Sequence, residues 1–250
     1  MITQAYEVVF YQPLLNILTL FYGTIALGDL GLAIIFLTIL IRIILFPIFS
    51  RSARHQSVMQ RLQPKLKHLQ DVHRHDKEKQ VQAMMSLYKE HKINPFSGFL
   101  FLLAQLPFLI ALYHIFLNVF KPDFLDGLYP FVSRPEAIQP FFLGLIDLGR
   151  PSILMVGLAA LGQYFQGKLA IPPKREEEEL SDAERLGRRM IVIGPLLTLL
   201  IFYNLPAAIS LYWATTSVFS VFQQWVINRE LNHGKVGTTG KTTDGVNGVS

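Results

Sequence analysis

The 250-residue chain is 51% hydrophobic, only 16% of its residues are charged, and its mean hydropathy is +0.34. These values are typical of a protein with several membrane spans and exclude a highly charged soluble or disordered chain. The net charge of +5 does not indicate nucleic-acid binding, because the basic residues are concentrated between apolar runs, where membrane topology accounts for them. The absence of cysteine excludes disulfides, iron–sulfur clusters and thiol nucleophiles.

The first apolar segment, residues 5–24, is aromatic and is interrupted by polar residues and by Pro13. This pattern favours an amphipathic helix on the membrane surface over a complete span. The segment shows neither the basic start nor the small-residue cleavage site of a signal peptide. We therefore expect the membrane segments themselves to direct targeting.

Five candidate spans follow this segment, each close to the ~20 residues that a bilayer crossing needs. They cover residues 30–49, 96–119, 151–169, 190–206 and 209–227, and a turn at Asn204-Leu205-Pro206 separates the last two. The predicted fold class is an all-α polytopic membrane protein with five transmembrane helices, an N-terminal interfacial helix and a cytoplasmic helical hairpin.

Basic residues are distributed unequally between the two sides that these spans define. Of the 23 Lys and Arg residues, 19 lie in residues 50–95, 168–189 and the C-terminal tail, whereas residues 120–150 hold three and residues 1–29 hold none. The positive-inside rule places the richer side in the cytoplasm. The N-terminus is then outside and the C-terminus inside, as an odd number of spans requires.

The predicted organisation has three parts. Residues 1–29 form an extracytoplasmic N-terminus, residues 30–228 form the five-span core, and residues 229–250 form a cytoplasmic tail. The tail is rich in Gly and Thr and poor in large apolar residues, so we expect it to be disordered.

Residues 51–92 have the apolar spacing of two helices, with Pro64 restarting the first and a turn between Asp71 and Asp76. The segment is therefore predicted to be a basic helical hairpin in the cytoplasm. Its amphipathic pattern favours a docking surface for lipid headgroups or a partner. The alternative is a solvated loop whose positive charge serves only topology.

Arg42 lies inside the nearly unbroken apolar run from Leu30 to Phe49. A guanidinium there keeps its charge, and holding it in a bilayer costs roughly 2.5–3.5 kcal/mol on insertion scales. No Asp or Glu lies inside the five predicted spans. A proton- or sodium-coupled transporter usually needs such a buried acid, so the pattern favours a groove whose charge attracts an acidic group on a passing client. The alternative is an arginine that reaches back to the interface.

Other polar residues fall on shared helix faces of the predicted spans. Thr38 lies one helical turn before Arg42, Gln105 lies in the second span, and Gln163 lies in the third. In the last span a stripe at alternating spacings of three and four residues comprises Ser210, Trp213, Ser217, Ser220 and Gln224. If these faces converge they form a hydrophilic groove around Arg42. Hydrogen bonding between packed helices is the alternative role of the serine stripe.

Known catalytic motifs are absent from the sequence. His73 and His75 lie in a charged loop without the carboxylate spacing of a zinc protease. Ser97 lacks the preceding glycine of a serine-hydrolase turn, and no glycine-rich phosphate loop occurs. We therefore predict that the protein is not an enzyme and uses no cofactor or metal.

Three sequence blocks resemble the YidC/Oxa family of membrane-protein insertases, in the order and separation found in that family. They are LAIIFLTILIRIILFPIFSRSARHQSVMQRLQPKL, YKEHKINPFSGFLFLLAQLPFLIALY and LPAAISLYWATTSVFSVFQQWVI. The stretches FLGLIDLG and GQYFQGKL are also similar, so the resemblance covers about residues 5–228. The chain as given lacks the large extracytoplasmic domain of Gram-negative members and a long basic tail.

The resemblance implies a five-helix core with a groove that opens to the cytoplasm and to lipid and is closed toward the outside. Members insert hydrophobic segments, alone or beside the Sec translocon, without hydrolysing nucleotides. The groove arginine of the family falls on Arg42, and the motifs indicate Gln163 and Trp213 as further lining residues. The cytoplasmic hairpin of the family, linked to client recruitment, falls on about residues 51–92.

The sequence thus predicts a membrane protein insertase in a prokaryotic plasma membrane. Its expected partners are nascent membrane-protein clients and the bilayer, with the Sec translocon and the ribosome as further partners and no nucleic acid. The predicted client-binding groove comprises Arg42, Gln163, Trp213, Gln105, Thr38, Ser217 and Ser220. The alternatives are a membrane chaperone or Sec accessory that does not insert clients itself, and a channel or transporter.

Overall fold

The computed structural model describes residues 2–94, 96–121, 123–171 and 182–236. This part of the chain is mostly helical, which confirms the all-α class in its coarse form. The α-helices are α1 (Ile2–Tyr6), α2 (Gln12–Gly23), α3 (Leu30–Ile44), α4 (Phe46–Arg61), α5 (Gln63–Val72), α6 (Lys77–Glu90), α7 (Ser97–Asn118), α8 (Ile153–Ala170), α9 (Asp182–Phe202) and α10 (Ala207–Val236). A π-helical turn over Glu7–Tyr11 joins α1 to α2, and a short 3-10 turn covers Phe124–Gly127.

The main core lies where α2, α3, α7 and α10 meet. Its largest fully buried side chains include Leu15, Leu18, Ile34, Leu112 and Ile115. Helix α8 contacts both α9 and α10, so these three helices form the other flank of the molecule. The segment predicted as an interfacial helix, residues 5–24, packs through one face of α2 against this core.

The predicted first span, residues 30–49, is not a single helix. Helices α3 and α4 are bent by 64° relative to each other at Leu45. Pro47 explains the break, because its ring clashes with the preceding turn and it has no N–H to donate to the carbonyl of Ile43. As a result α4 starts within the apolar run and carries the chain into the basic segment, ahead of the predicted hairpin start at residue 51.

Helices α5 and α6 form a helical hairpin inside the segment 51–92, and its cytoplasmic location stays a prediction. Pro64 lies in the first turn of α5, and Asp76 caps α6 by accepting a hydrogen bond from the backbone N–H of Lys79 at 3.1 Å. A small separate core of four buried residues holds the hairpin together. These residues are Leu62, Leu66, Leu87 and Ile93.

A two-stranded antiparallel hairpin lies between α7 and α8, where the sequence analysis predicted no strand. Strand β1 (Phe141–Phe142) pairs with strand β2 (Ile146–Asp147), with Phe142 opposite Ile146. The backbone N–H of Ala208 donates to the carbonyl of Leu148 at 3.1 Å, so the base of the hairpin is fixed to the first turn of α10. The hairpin therefore lies at the end of the bundle where α3, α8 and α10 begin.

Among the described residues, helix α7 (Ser97–Asn118) is long and apolar enough to cross a membrane. The bent pair α3–α4 would be a second candidate if the two helices form one span. The sequence of α8 is less apolar because Gln163, Gln166 and Lys168 lie in its last turns. The full set of five spans therefore remains a prediction.

Helix α10 continues to Val236, beyond the predicted start of a disordered tail at residue 229. Arg229, Glu230 and Leu231 are good helix formers, and extending an existing helix costs little, which accounts for the later boundary. The rest of the predicted tail, residues 237–250, lies outside the described residues.

Candidate functional site around Arg42

Arg42 lies in the last turn of α3 and is only 5% exposed. Its Nη2 donates a hydrogen bond to the carbonyl oxygen of Thr216 on α10 at 3.2 Å. Its guanidinium carbon lies 5.9 Å from the centroid of the Phe49 ring, within the range of a cation–π interaction. The other terminal nitrogen, Nη1, is buried and has no hydrogen-bond partner.

The side chains around the guanidinium come from three helices and form a narrow cleft. The lining residues are Thr38, Ile41, Arg42 and Leu45 on the α3 side, Gln105 on α7, and Tyr212 and Thr216 on α10. The space between them is too small for a water molecule. The cleft is therefore closed around the charge in this structure, and an open groove remains a prediction.

The guanidinium lacks a compensating acid: in the described part of the chain no carboxylate forms a salt bridge with Arg42. Burying a cation without an ionic partner is costly, and a single carbonyl contact and one aromatic ring offset this only in part. The arrangement therefore has spare capacity for an anion. A carboxylate could accept from both terminal nitrogens of a guanidinium at once.

The polar groups without partners continue along one face of α10. Thr216, Ser220 and Gln223 follow one another at spacings of four and three residues. Their side-chain oxygen atoms, and the amide nitrogen of Gln223, are buried without a hydrogen-bond partner. Each buried polar group of this kind costs about 1–3 kcal/mol if it stays unpaired, so this face of α10 has hydrogen-bonding capacity for a ligand or water.

The structure brings two of the predicted groove residues, Thr38 and Gln105, to the cleft with Arg42. Thr38 satisfies its own hydroxyl by donating to the carbonyl of Ile34 at 2.6 Å, so it shapes the cleft rather than offering a free donor.

The other predicted groove residues lie outside the lining of this cleft. Gln163 accepts a hydrogen bond from the hydroxyl of Thr198 on α9. Trp213 packs edge-on against Phe202, with 5.3 Å between the ring centroids. Ser217 is buried at the contact between α10 and α8, and Ser220 is buried on α10.

The sequence analysis missed Tyr212 and Thr216, which form the α10 side of the cleft. They lie one helical turn apart, and each directly precedes a member of the predicted stripe, Trp213 and Ser217. The i, i+4 spacing of Tyr212 and Thr216 is a sequence signal for a shared helix face. The longer polar stripe that includes Trp213 and Ser217, one residue further along, is the stronger pattern.

Comparison with known proteins identifies the relatives of this chain. Residues 21–234 match the family described as 60Kd inner membrane protein. Proteins named "Membrane protein insertase YidC" from Francisella tularensis subsp. novicida (strain U112), subsp. tularensis (strain WY96-3418) and subsp. holarctica (strain FTNF002-00 / FTA) are each 32% identical over 202 residues. The alignments cover 81% of this chain and 33% of each relative, so the chain spans about one third of the length of the curated relatives it matches. With most of its length inside the family match, the chain belongs to the 60Kd inner membrane protein family, the bacterial inner-membrane family of the YidC/Oxa insertases.

Proposed function

We propose that the protein is a membrane protein insertase that places hydrophobic segments of newly made proteins in the bilayer. One observation carries the proposal beyond family membership. Arg42 is buried between three helices, has no carboxylate partner among the described residues, and keeps one guanidinium nitrogen unpaired. A resident counter-ion would neutralise this charge permanently, whereas an acidic client segment can do so transiently.

The proposal includes five transmembrane helices, with the N-terminus outside and the C-terminus in the cytoplasm. Its support is the large number of apolar side chains that the bundle leaves exposed. They lie along α7 (Phe99, Leu102, Leu106, Ile110), α8 (Leu154, Leu158, Leu161, Phe165) and α9 (Val192, Leu196, Leu200). Contiguous apolar faces of this size are incompatible with water but match the acyl chains of a bilayer.

Insertion would begin when a client's acidic outer segment enters the cleft from the cytoplasm and binds Arg42. The cleft must widen for this step, because it does not admit even water in this structure. Arg42 lowers the free-energy cost of keeping the client carboxylate out of water. The unpaired side-chain groups of Thr216, Ser220 and Gln223 can form hydrogen bonds with the client backbone.

Release would follow from the hydrophobic effect. The apolar segment behind the acidic one moves onto the exposed faces of the helices and then into lipid. Transfer of its side chains contributes about 25 cal/mol per Å² of apolar surface removed from water. No nucleotide is needed for this step, and a weak arginine contact lets the client leave.

We further propose that the hairpin α5–α6 recruits clients on the cytoplasmic side, with the Sec translocon and the ribosome as partners of the assembly. Several basic side chains of the hairpin are exposed, among them Lys65, Arg74 and Lys79. An exposed basic surface favours encounter with acidic headgroups or acidic partner surfaces.

The test is reconstitution of the purified chain in liposomes, with protease protection of a small single-span client that carries an acidic outer tail. Wild type, Arg42→Ala and Arg42→Lys are compared, and Arg134→Ala serves as a matched loss of an arginine, because Arg134 is 57% exposed and pairs with Asp126 away from the cleft. We expect insertion to be lost in Arg42→Ala, partly kept in Arg42→Lys and unchanged in Arg134→Ala.

The other outcomes separate the alternatives. Equal insertion by wild type and Arg42→Ala across several acidic clients would remove the proposed role of Arg42 and leave it a structural residue. Insertion by no variant, in vesicles where the protein is folded, would favour a chaperone or a Sec accessory. Ion flux without client protection would favour a channel.

A further inference from the structure

Two exposed turns at the end of the bundle where α3 begins share an unusual design. Each is a Leu-Gly pair in which both residues have positive φ. Leu27 and Gly28 have φ values of 52° and 82°, and Leu143 and Gly144 have φ values of 51° and 69°. Glycine adopts this left-handed conformation freely, but leucine is strained in it, and Asn or Gly is the usual choice.

The leucines at these turns are also exposed. Leu27 is 90% exposed, Leu143 is 59% exposed, and Leu145, on the other side of the hairpin turn, is 82% exposed. Leu27 and Leu143 therefore expose a large apolar side chain from a backbone conformation that leucine disfavours, and Leu145 is exposed without that strain. A local preference broken twice in the same way points to a function outside the folding of the chain itself.

One carboxylate holds the two turns together. Asp29 Oδ1 accepts a hydrogen bond from the backbone N–H of Leu32 at 2.8 Å and so caps α3. Its Oδ2 accepts from the backbone N–H of Leu143 at 2.5 Å. Since Leu27 is only two residues from Asp29, the two Leu-Gly turns flank this residue. We call Leu27, Leu143 and Leu145 the leucine tips.

The leucine tips lie at the level where the apolar helices start. Leu27 is three residues before the first residue of α3. At the base of the β1–β2 hairpin, the carbonyl of Leu148 accepts a hydrogen bond from the backbone N–H of Ala208 in the first turn of α10. Helix α8 starts at the same end with Ile153 and Leu154, which are 70% and 57% exposed. The exposed side chains of the leucine tips therefore lie at the same end of the bundle as the first exposed apolar residues of α8.

We propose that the leucine tips insert into the outer leaflet of the phospholipid bilayer, at the boundary between headgroups and acyl chains. They anchor the outer end of α3, and with it the height of Arg42 in the membrane, while the cytoplasmic end of the bundle moves. The proposal rests on the proposed membrane topology and deepens the proposed function. Lipid is the occupant that the position favours, because the tips lie at the end of the bundle where α8 begins with the exposed apolar residues Ile153 and Leu154.

The experiment uses the absence of cysteine from the chain. Single cysteines are introduced by Leu145→Cys and, as a control on the same connecting segment, by the exposed Glu136→Cys. Each is labelled with a nitrobenzoxadiazole fluorophore in vesicles of phosphatidylethanolamine and phosphatidylglycerol. Quenching by a lipid with a shallow nitroxide is compared with quenching by aqueous iodide. We expect the label at residue 145 to be quenched severalfold more by the lipid, and the label at residue 136 to be quenched mainly by iodide.

A second variant tests the strained leucines without unfolding the turns. The double substitution Leu27→Asn and Leu143→Asn keeps residues that tolerate positive φ, so the unfolding temperature should not fall. In the Leu145→Cys background it should nevertheless reduce quenching by the lipid nitroxide. Unchanged lipid quenching in this double variant would mean that the left-handed leucines do not anchor the turn.

Four results would overturn or separate the proposals. Iodide quenching at residue 145 equal to that at residue 136 would show that the tips lie in water. Protection from both quenchers would indicate a protein contact, such as a second copy of the chain, instead of lipid. Client insertion is measured in the same vesicles, so that lipid quenching without insertion rejects the insertase alone, and insertion without lipid quenching rejects the anchor alone.

Discussion

Asn16 on α2 and Arg42 on α3 are both buried polar residues, 3% and 5% exposed, yet their surroundings differ. The amide of Asn16 donates to the carbonyls of Gln12 at 2.8 Å and Gly127 at 3.1 Å, and accepts from the backbone N–H of Tyr129 at 2.6 Å. Arg42 makes one hydrogen bond, at 3.2 Å, and leaves Nη1 unpaired.

The difference separates a polar residue that is satisfied within the fold from one that is not, and under the proposed function the second is the client-binding residue. Asn16 uses its hydrogen-bonding groups to fasten the segment after α7 onto α2, so its contribution is realised in the resting fold. Arg42 retains unused donors in a dry setting, which destabilises the resting state relative to a state with an anion bound. Substitutions at the two positions should therefore affect different measurements.

The largest effect is expected for Arg42→Met, which keeps a long apolar side chain but removes the charge. Insertion of an acidic client should fall at least about tenfold, equivalent to about 1.4 kcal/mol of lost stabilisation. The free energy of unfolding should stay equal or rise by about 1–4 kcal/mol, because an unpaired buried charge is removed. Protease protection and denaturant unfolding in the same detergent check the two parts. If Arg42→Met lowered the free energy of unfolding but inserted the client normally, Arg42 would be a structural residue like Asn16.

Asn16→Ala should show the opposite pattern. It leaves the carbonyl of Gly127 and the N–H of Tyr129 without their partner, which should lower the free energy of unfolding by about 2–4 kcal/mol at the usual cost of unpaired groups. Insertion per folded molecule should not change. Asn16→Asp is a second variant: it keeps the acceptor for Tyr129 but replaces the donor with a buried carboxylate oxygen that faces the carbonyls of Gln12 and Gly127, so it should destabilise the fold at least as much as Asn16→Ala. Unchanged stability in both variants would contradict the structural role of Asn16.

Leu66→Ala tests the small core of the hairpin against the main core. Leu66 is 3% exposed, and its removal should destabilise α5 and α6 by about 2 kcal/mol, near the lower end for a buried leucine because the cluster is small. Amide hydrogen exchange should quicken in residues 63–90 and stay unchanged in α3 and α10. Exchange that quickens throughout the bundle would mean that the hairpin and the main core unfold together.

The smallest effect is expected at Asp76, the exposed cap of α6. The hydrogen bond from the Lys79 backbone N–H, followed by the Lys79 ammonium at 3.1 Å, lowers the pKa of the Asp76 carboxyl below its ordinary value of 3.8. Because the folded-state pKa is depressed, the stabilisation is present above pH 3.8 and is lost as the pH falls through the folded pKa. Faster exchange at residues 77–80 only in that acidic range would support this, and Asp76→Ala should remove the dependence.

The helices of the α5–α6 hairpin could be predicted because local interactions determine where they start. Pro64 fits the first turn of a helix and Asp76 caps the next, and both effects act within a few residues of the chain. The same holds for the turn between α9 and α10 at residues 203–206. The position of Arg42 inside an apolar run also singles out this residue, which is 5% exposed in the structure; its binding role stays a proposal.

The partners of Arg42 depend on contacts distant in sequence, which periodicity does not contain. The rotation of α10 about its axis decides whether Tyr212 and Thr216 or Trp213 and Ser217 meet the cleft. That rotation is set by packing: a Cβ on Gly162 of α8 would lie 3.0 Å from the Cβ of Ser217, so this glycine lets the two helices approach. The apolar run over residues 30–49 likewise hid the bend at Leu45, because hydropathy does not distinguish one straight helix from two bent ones.

The bend at Leu45 has an electrostatic consequence for Arg42. Because α3 ends at Ile44, the guanidinium belongs to a residue in the last helical turn, where the aligned peptide dipoles place about half a negative charge. The positive end of the α4 dipole, which starts at Phe46, offsets part of this charge, so the stabilisation is smaller than the ~2 kcal/mol that a single helix end gives a partly buried cation. A straight helix through residues 30–61 would move that charge several turns away. Pro47 therefore gives the arginine a weak counter-charge made of backbone alone, which helps to tolerate the cation without a strong ionic bond. Under the proposed function, the absence of that bond leaves the guanidinium available to an acidic client.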